Sequence, residues 1–205
     1  MMDRPLPFEQ RPTPEQIAAL PPYPALAPGQ IQLLREPAQF AAAEHALRAA
    51  GHVGFDTESK PVFVAGAPQT GPDVVQFATR EQAFIVQTSL PGAEDFLRAV
   101  IESDEIVKVG FGLASDRPQL QRRFGLRLGA SIDLSYSVRR LGFKQAVGLK
   151  AAVAIVLGQR MSKSKKATTS NWANPRLTPQ QLQYAANDAH ASLLIYEALR
   201  KRSAC

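Results

Sequence analysis

Apolar residues alternate with polar ones in several short runs and recur every third or fourth residue in longer ones, so the chain reads as mixed strand and helix. Residues 31–34 read as a short strand. Over 37–50, Phe40, Ala43 and Leu47 keep helical spacing, and Gly51 ends the run. Residues 52–55 form a short apolar strand that delivers Asp56 at its carboxyl end. Strands at 74–78 and 83–86 are separated by the polar Thr79-Arg80-Glu81-Gln82, a hairpin signal, and the three consecutive strands imply an antiparallel meander. A helix follows Pro91-Gly92 to about Glu102. As a crossover it lets the next strand, 106–109, lie parallel to the first.

Ser115 is placed to cap a helix running through Phe124. Beyond Ile132 the pattern is mostly helical: 134–141, 149–157, a basic loop, then a terminal helix. That last helix has clear start chemistry, with Thr178 as N-cap, Pro179 at its first position and Gln181 set for a capping box. No internal repeat is visible. The fold class is therefore α/β, an antiparallel meander plus parallel strands in one mixed sheet flanked by helices.

Half of the 16 prolines lie in the first 28 residues, where proline's missing donor and fixed φ exclude continuous helix or strand. Residues 1–30 are thus an extended arm, with one short helix started by Thr13-Pro14-Glu15-Gln16. Its Ile17, Leu20, Tyr23 and Leu26 are available to pack on the domain formed by residues 31–205. A length of 205 residues with 45% hydrophobic content suits one domain plus a tail. No run approaches a membrane span, the start lacks the apolar core of a secretory signal, and Cys205 is the only cysteine. The expectation is a cytoplasmic protein without a disulfide framework or cysteine metal site.

The net charge of +6 is unevenly distributed. Between Leu134 and Asn187 there is no Asp or Glu, while Arg139, Arg140, Lys144, Lys150, Arg160, Lys163, Lys165, Lys166 and Arg176 contribute +9, leaving the remainder net −3. A basic third beside separately clustered acids suggests a polyanion held by one part and acted on by the other.

Four of those acids stand out. Asp56 and Glu58 are two apart, so in extended geometry both point to one side, where their mutual repulsion calls for a cation. Asp116 falls in the first turn of the helix after strand 106–109, near a strand end, where ligands gather in open α/β sheets. Tyr184 and Asp188 lie one turn apart on one face of the terminal helix, a face that also carries Ala191 and Ile195. Hard divalent cations take oxygen ligands, and a pair of them can hydrolyse a phosphodiester without a protein nucleophile.

The run FDTE, the segment VKVGFGLASDRPQLQRRFGLRL and the closing SNWANPRLTPQQLQYAANDAHASLLIYEAL resemble, in order and spacing, the three motifs of the DEDD exonuclease superfamily. The likeness is nearest to Werner-type exonuclease domains and ribonuclease D, and it covers the chain from about Ile31 to the end. It implies a ribonuclease H-like fold and 3′–5′ exonuclease activity on DNA or RNA. It further implies two Mg²⁺ or Mn²⁺ ions bound by Asp56, Glu58, Asp116 and Asp188, with Tyr184 orienting the attacking water. A tyrosine four positions before the last aspartate resembles the DEDDy branch; the histidine branch would carry its base one place earlier, where Gln183 stands, so His190 is a bystander. The chain departs from the Werner-type pattern after the glutamate, where Ser59, Lys60 and Pro61 replace the usual tryptophan, and residues 60–72 form a different rim.

Arg160, Lys163, Lys165 and Lys166, with the nearby Asn171 and Trp172, form a basic segment able to hold a nucleic-acid backbone, though Trp172 reads more as core than as a base-stacking platform. Two rivals compete with the nuclease reading. One is a dinucleotide site at Gly110-Phe111-Gly112 with Asp133 beyond, weakened by Ser115 in place of the third glycine. The other is a nucleic-acid-binding domain of the same fold without catalysis, against which all four carboxylates speak. Neither DNA nor RNA is singled out, because no base-reading motif is visible.

Overall fold

In the computed structural model, residue 8 and residues 10–62, 70–143, 147–162 and 165–203 are described, residues 165 and 166 by backbone alone. Lys144, Lys163, Cys205 and most of the 60–72 rim fall outside them.

The alternating runs become a six-stranded mixed sheet of order β1-β4-β3-β2-β5-β6. Strands β2 (His52–Glu58), β3 (Val74–Ala78) and β4 (Ala83–Gln87) form the antiparallel meander, and β1 (Ile31–Leu34) lies parallel to β4 at one edge. Strands β5 (Val107–Gly110) and β6 (Ser131–Asp133) continue the sheet parallel to β2. With three residues, β6 is too short for period-two alternation to announce it. β2 runs three residues further than its apolar stretch, because β3 pairs Gln76 with Asp56, Val75 with Thr57 and Val74 with Glu58. Both motif acids therefore sit inside the ladder.

Helices cover both faces. Toward α2 (Pro37–Ala50) and α3 (Ala93–Ile101), the core gathers Phe40, Leu47, Phe55, Phe77, Phe96 and Leu97. On the other face lies α8 (Pro179–Ser203), whose Ala185, Ala186 and Ala189 are fully buried against Val74, Ala78, Ala83 and Ile85. Thr178 and Gln181 form the expected reciprocal cap at its start, at 3.2 and 2.9 Å.

Two helical segments differ from expectation. Helix α4 (Leu113–Phe124) begins at Gly112, whose φ of +71° only glycine adopts without strain; Ser115 lies within the first turn and donates back to the Gly112 carbonyl at 2.7 Å. The 149–157 run splits into α6 (Leu149–Ala152) and a π-helical turn, Val153–Leu157, after α5 (Leu134–Arg139).

The arm forms α1 (Pro14–Ala18) under the Thr13 capping box and buries Ile17, Tyr23 and Leu26. Its backbone bridges to Arg160, with Tyr23 N donating to Arg160 O at 2.9 Å and Arg160 N to Pro21 O at 2.7 Å. The Tyr23 hydroxyl meets His190 Nδ1 at 2.5 Å, and His190 Nε2 lies 3.1 Å from the Arg80 carbonyl. A carbonyl only accepts, so Nε2 carries the imidazole proton and Nδ1 accepts from Tyr23. Burial lowers the His190 pKa, in keeping with this neutral ring. Among the described residues no helix is long and apolar enough to cross a membrane.

Candidate active site

Strand β2 presents Asp56 and Glu58 on the face that α8 covers. Gly54, two residues earlier on that face, makes the approach possible: a Cβ there would lie 1.9 Å from the Ala189 carbonyl oxygen. Helix and strand therefore touch backbone to backbone, one residue from Asp188. In consequence Asp56, Glu58 and Asp188 each offer an oxygen, all within 4.8 Å of one another. Asp188 is 2% exposed and the other two are half-buried. Three carboxylates packed this closely repel unless a proton or cation intervenes, and an all-oxygen donor set fits a hard divalent ion.

Asp116 reaches the same end of the sheet from the first turn of α4 but stands outside that group of three. Its carboxylate is buried and accepts from Thr57 Oγ1, the hydroxyl between the two motif acids. Burial raises its pKa, the Thr57 bond and its own backbone opposing and the Asp133 charge adding to the rise. A nearby cation would act the other way, favouring the charged carboxylate.

Asp133, the acid needed by the dinucleotide reading, is engaged elsewhere. Its Oδ1 accepts from Gly112 N and Ser135 N, both at 3.0 Å, and from Ser135 Oγ at 2.7 Å. It thus caps α5 and pins the glycine turn that opens α4.

Tyr184 is nearly buried one turn before Asp188. Its ring packs on Trp172, centroids 5.9 Å apart, and Thr168 Oγ1 lies 3.2 Å from its hydroxyl. Trp172 is fully buried, so it is core. Thr168 ends α7 (Lys165–Thr168), a helix within the stretch expected to be a basic loop, and so the basic segment meets the phenol. Arg160 precedes it, its guanidinium donating to the Ala18 carbonyl at 2.7 Å. Gly54, Thr57 and Thr168 were not singled out from the sequence. Only Gly54 left a signal there, as a glycine inside an apolar strand.

A 3′–5′ exonuclease family matches residues 31–204. The chain belongs to that family. Over 150 residues the chain is 32% identical to the Mus musculus bifunctional 3′–5′ exonuclease/ATP-dependent helicase WRN, a match spanning 72% of this chain and 11% of that one. It is 27% identical to ribonuclease D of Xanthomonas oryzae over 153 residues, 73% of this chain and 40% of the relative. The EXO domain of Aedes aegypti Nibbler superposes with a TM-score of 0.74 at 25% identity, covering 87% of this chain and 91% of that one. The fold is thus ribonuclease H-like, and the chain carries an acidic cluster in a family that generally uses divalent metals.

Proposed function

We propose that this chain removes nucleotides one at a time from the 3′ end of DNA or RNA, releasing nucleoside 5′-monophosphates. Asp56, Glu58, Asp116 and Asp188 would hold two divalent cations, Mg²⁺ or Mn²⁺. The observation that carries this reading is the convergence of Asp56, Glu58 and Asp188 within 4.8 Å at the meeting of β2 and α8. When bound, such cations stabilise phosphodiester charge and make water a usable nucleophile at neutral pH.

The chain's own residues supply the rest. Tyr184 orients the attacking water, its phenol fixed by Trp172 and Thr168. Thr57 keeps Asp116 turned toward the pair on β2. Arg160, Lys163, Lys165 and Lys166 hold the phosphate backbone, which makes binding salt-sensitive. Such a site reads the phosphodiester and not the base, consistent with relatives whose names include both a helicase-linked exonuclease and a ribonuclease.

Digestion of 5′-end-labelled single- and double-stranded DNA and RNA, with Mg²⁺, Mn²⁺ or chelator, tests the proposal. Stepwise shortening is expected with metal, and none with chelator, Asp56→Asn or Asp188→Asn. Internal cuts, or loss of the 5′ label as the first product, would overturn it. Binding without cleavage in either metal would favour the non-catalytic domain instead.

A further inference from the structure

Every residue of β3 is buried, and along its α8 face the order is Val74, Gln76, Ala78. Val74 and Ala78 pack with Tyr184, Ala185, Ala186 and Ala189, so Gln76 lies beneath α8 between them. It is fully buried, and neither its amide nitrogen nor its amide oxygen has a hydrogen-bond partner among the described residues. Two other buried polar side chains of the sheet are engaged: Gln87 Nε2 donates to Asn174 O at 2.9 Å, and Lys108 Nζ to Ser103 O at 2.5 Å. Leaving a buried amide unpaired is destabilising, a cost that methionine or leucine of similar size would avoid. A glutamine at this place needs a reason.

Its neighbour supplies one. Gln76 stands directly opposite Asp56 in the β2–β3 ladder, on the same face, where Cβ atoms lie about 5 Å apart. On its other side is α8 with Asp188. We propose that Gln76 is a positioning residue for the carboxylate cage. Its amide N–H donates to an Asp56 oxygen left over when the site is loaded, holding that carboxylate turned toward the cation. Groups that orient metal-binding side chains in this way matter for affinity by about 10–100-fold. The inference rests on the metal-cage reading above.

The test uses the full chain without substrate: Mn²⁺ titration by calorimetry, and thermal melting in chelator, for wild type, Gln76→Met, Gln76→Leu and Asp188→Asn. Both Gln76 variants are expected to melt at or above wild type in chelator, since they remove an unpaired amide, yet to bind Mn²⁺ about 10–100-fold more weakly. Lower melting with unchanged Mn²⁺ affinity would overturn the inference and assign Gln76 to packing. The Asp188→Asn arm separates the two levels. If it weakens Mn²⁺ binding while the Gln76 variants do not, only the role of Gln76 falls; if it has no effect, the cage itself falls.

Discussion

Toward α2 and α3 the sheet presents Phe55 and Phe77, whose rings meet each other at 5.6 Å while Phe77 meets Phe96 at 6.0 Å and Phe96 meets Phe40 at 5.3 Å. Toward α8 it presents Gly54, Asp56 and Gln76, and the helix answers with alanines. Large rings bury area and tolerate small shifts by repacking. Small residues bury little per position but bring two backbones into contact, which fixes where Asp188 sits relative to β2. One face supplies stability and the other supplies position.

If that division holds, the costs of substitution separate. Phe77→Ala removes a fully buried ring and should destabilise the fold by about 3–5 kcal/mol, read from urea unfolding. Mn²⁺ affinity of the folded protein should be unchanged; a parallel loss would mean the aromatic face also sets the site. Gly54→Ala reverses the pattern. Its added methyl would fall against Ala189 backbone, which cannot move like a side-chain tip, so α8 lifts from β2. A displacement on the order of 1 Å can cost about 100-fold in rate, and that loss is expected in kcat at temperatures where the variant is folded. Near-normal kcat would show that α8 does not need backbone contact to place Asp188.

Lys108 extends the contrast, being a charge buried in the ring-bearing half yet paired, its ammonium donating to Ser103 O. Register with Val53 puts it on that face. Burial lowers its pKa from 10.5 to about 8, with Asp104 opposing. Between those values the unfolded chain binds more protons than the folded one, so stability rises with pH there; below about pH 8 both forms are protonated and the burial penalty is complete. The slope is at most about 1.4 kcal/mol per pH unit. Urea midpoints of wild type minus Lys108→Met should climb from pH 8 to 10, and a flat difference would mean the ammonium is solvated.

How far the sequence revealed these faces depends on what carries the signal. The meander was legible because 52–55, 74–78 and 83–86 alternate or run apolar between polar turns, and the cap at Thr178 because its chemistry is local. Three of the acids met as their spacing suggested, two sharing a strand face and the third one turn beyond Tyr184. The strand β6 was not legible, since three residues hold no period. The start of α4 was misjudged because Ser115 offers cap chemistry while Gly112 offers the backbone angle, and the angle decided. Thr57, Thr168 and Gln76 could not be picked out, since each matters only through a partner 16 or more residues away.

The smallest expected effect concerns the arm, which lies outside the matched family region and yet touches α8. Tyr23→Phe keeps the ring and removes only the hydroxyl that donates to His190 Nδ1, leaving a buried acceptor without its donor. The expected cost is about 1 kcal/mol in urea unfolding, that of one neutral hydrogen bond. His190 follows Asp188 by two residues, so the two side chains leave α8 in different directions: His190 reaches the Arg80 carbonyl at the β3–β4 hairpin, Asp188 the acids of β2. The Gly54–Ala189 contact stands between them in sequence and holds the helix independently of the arm. Mn²⁺ affinity should therefore survive the substitution. A Tyr23→Phe protein that lost metal affinity without losing stability would show that position on the α8 face is set partly from the arm, and not by the alanine contact alone.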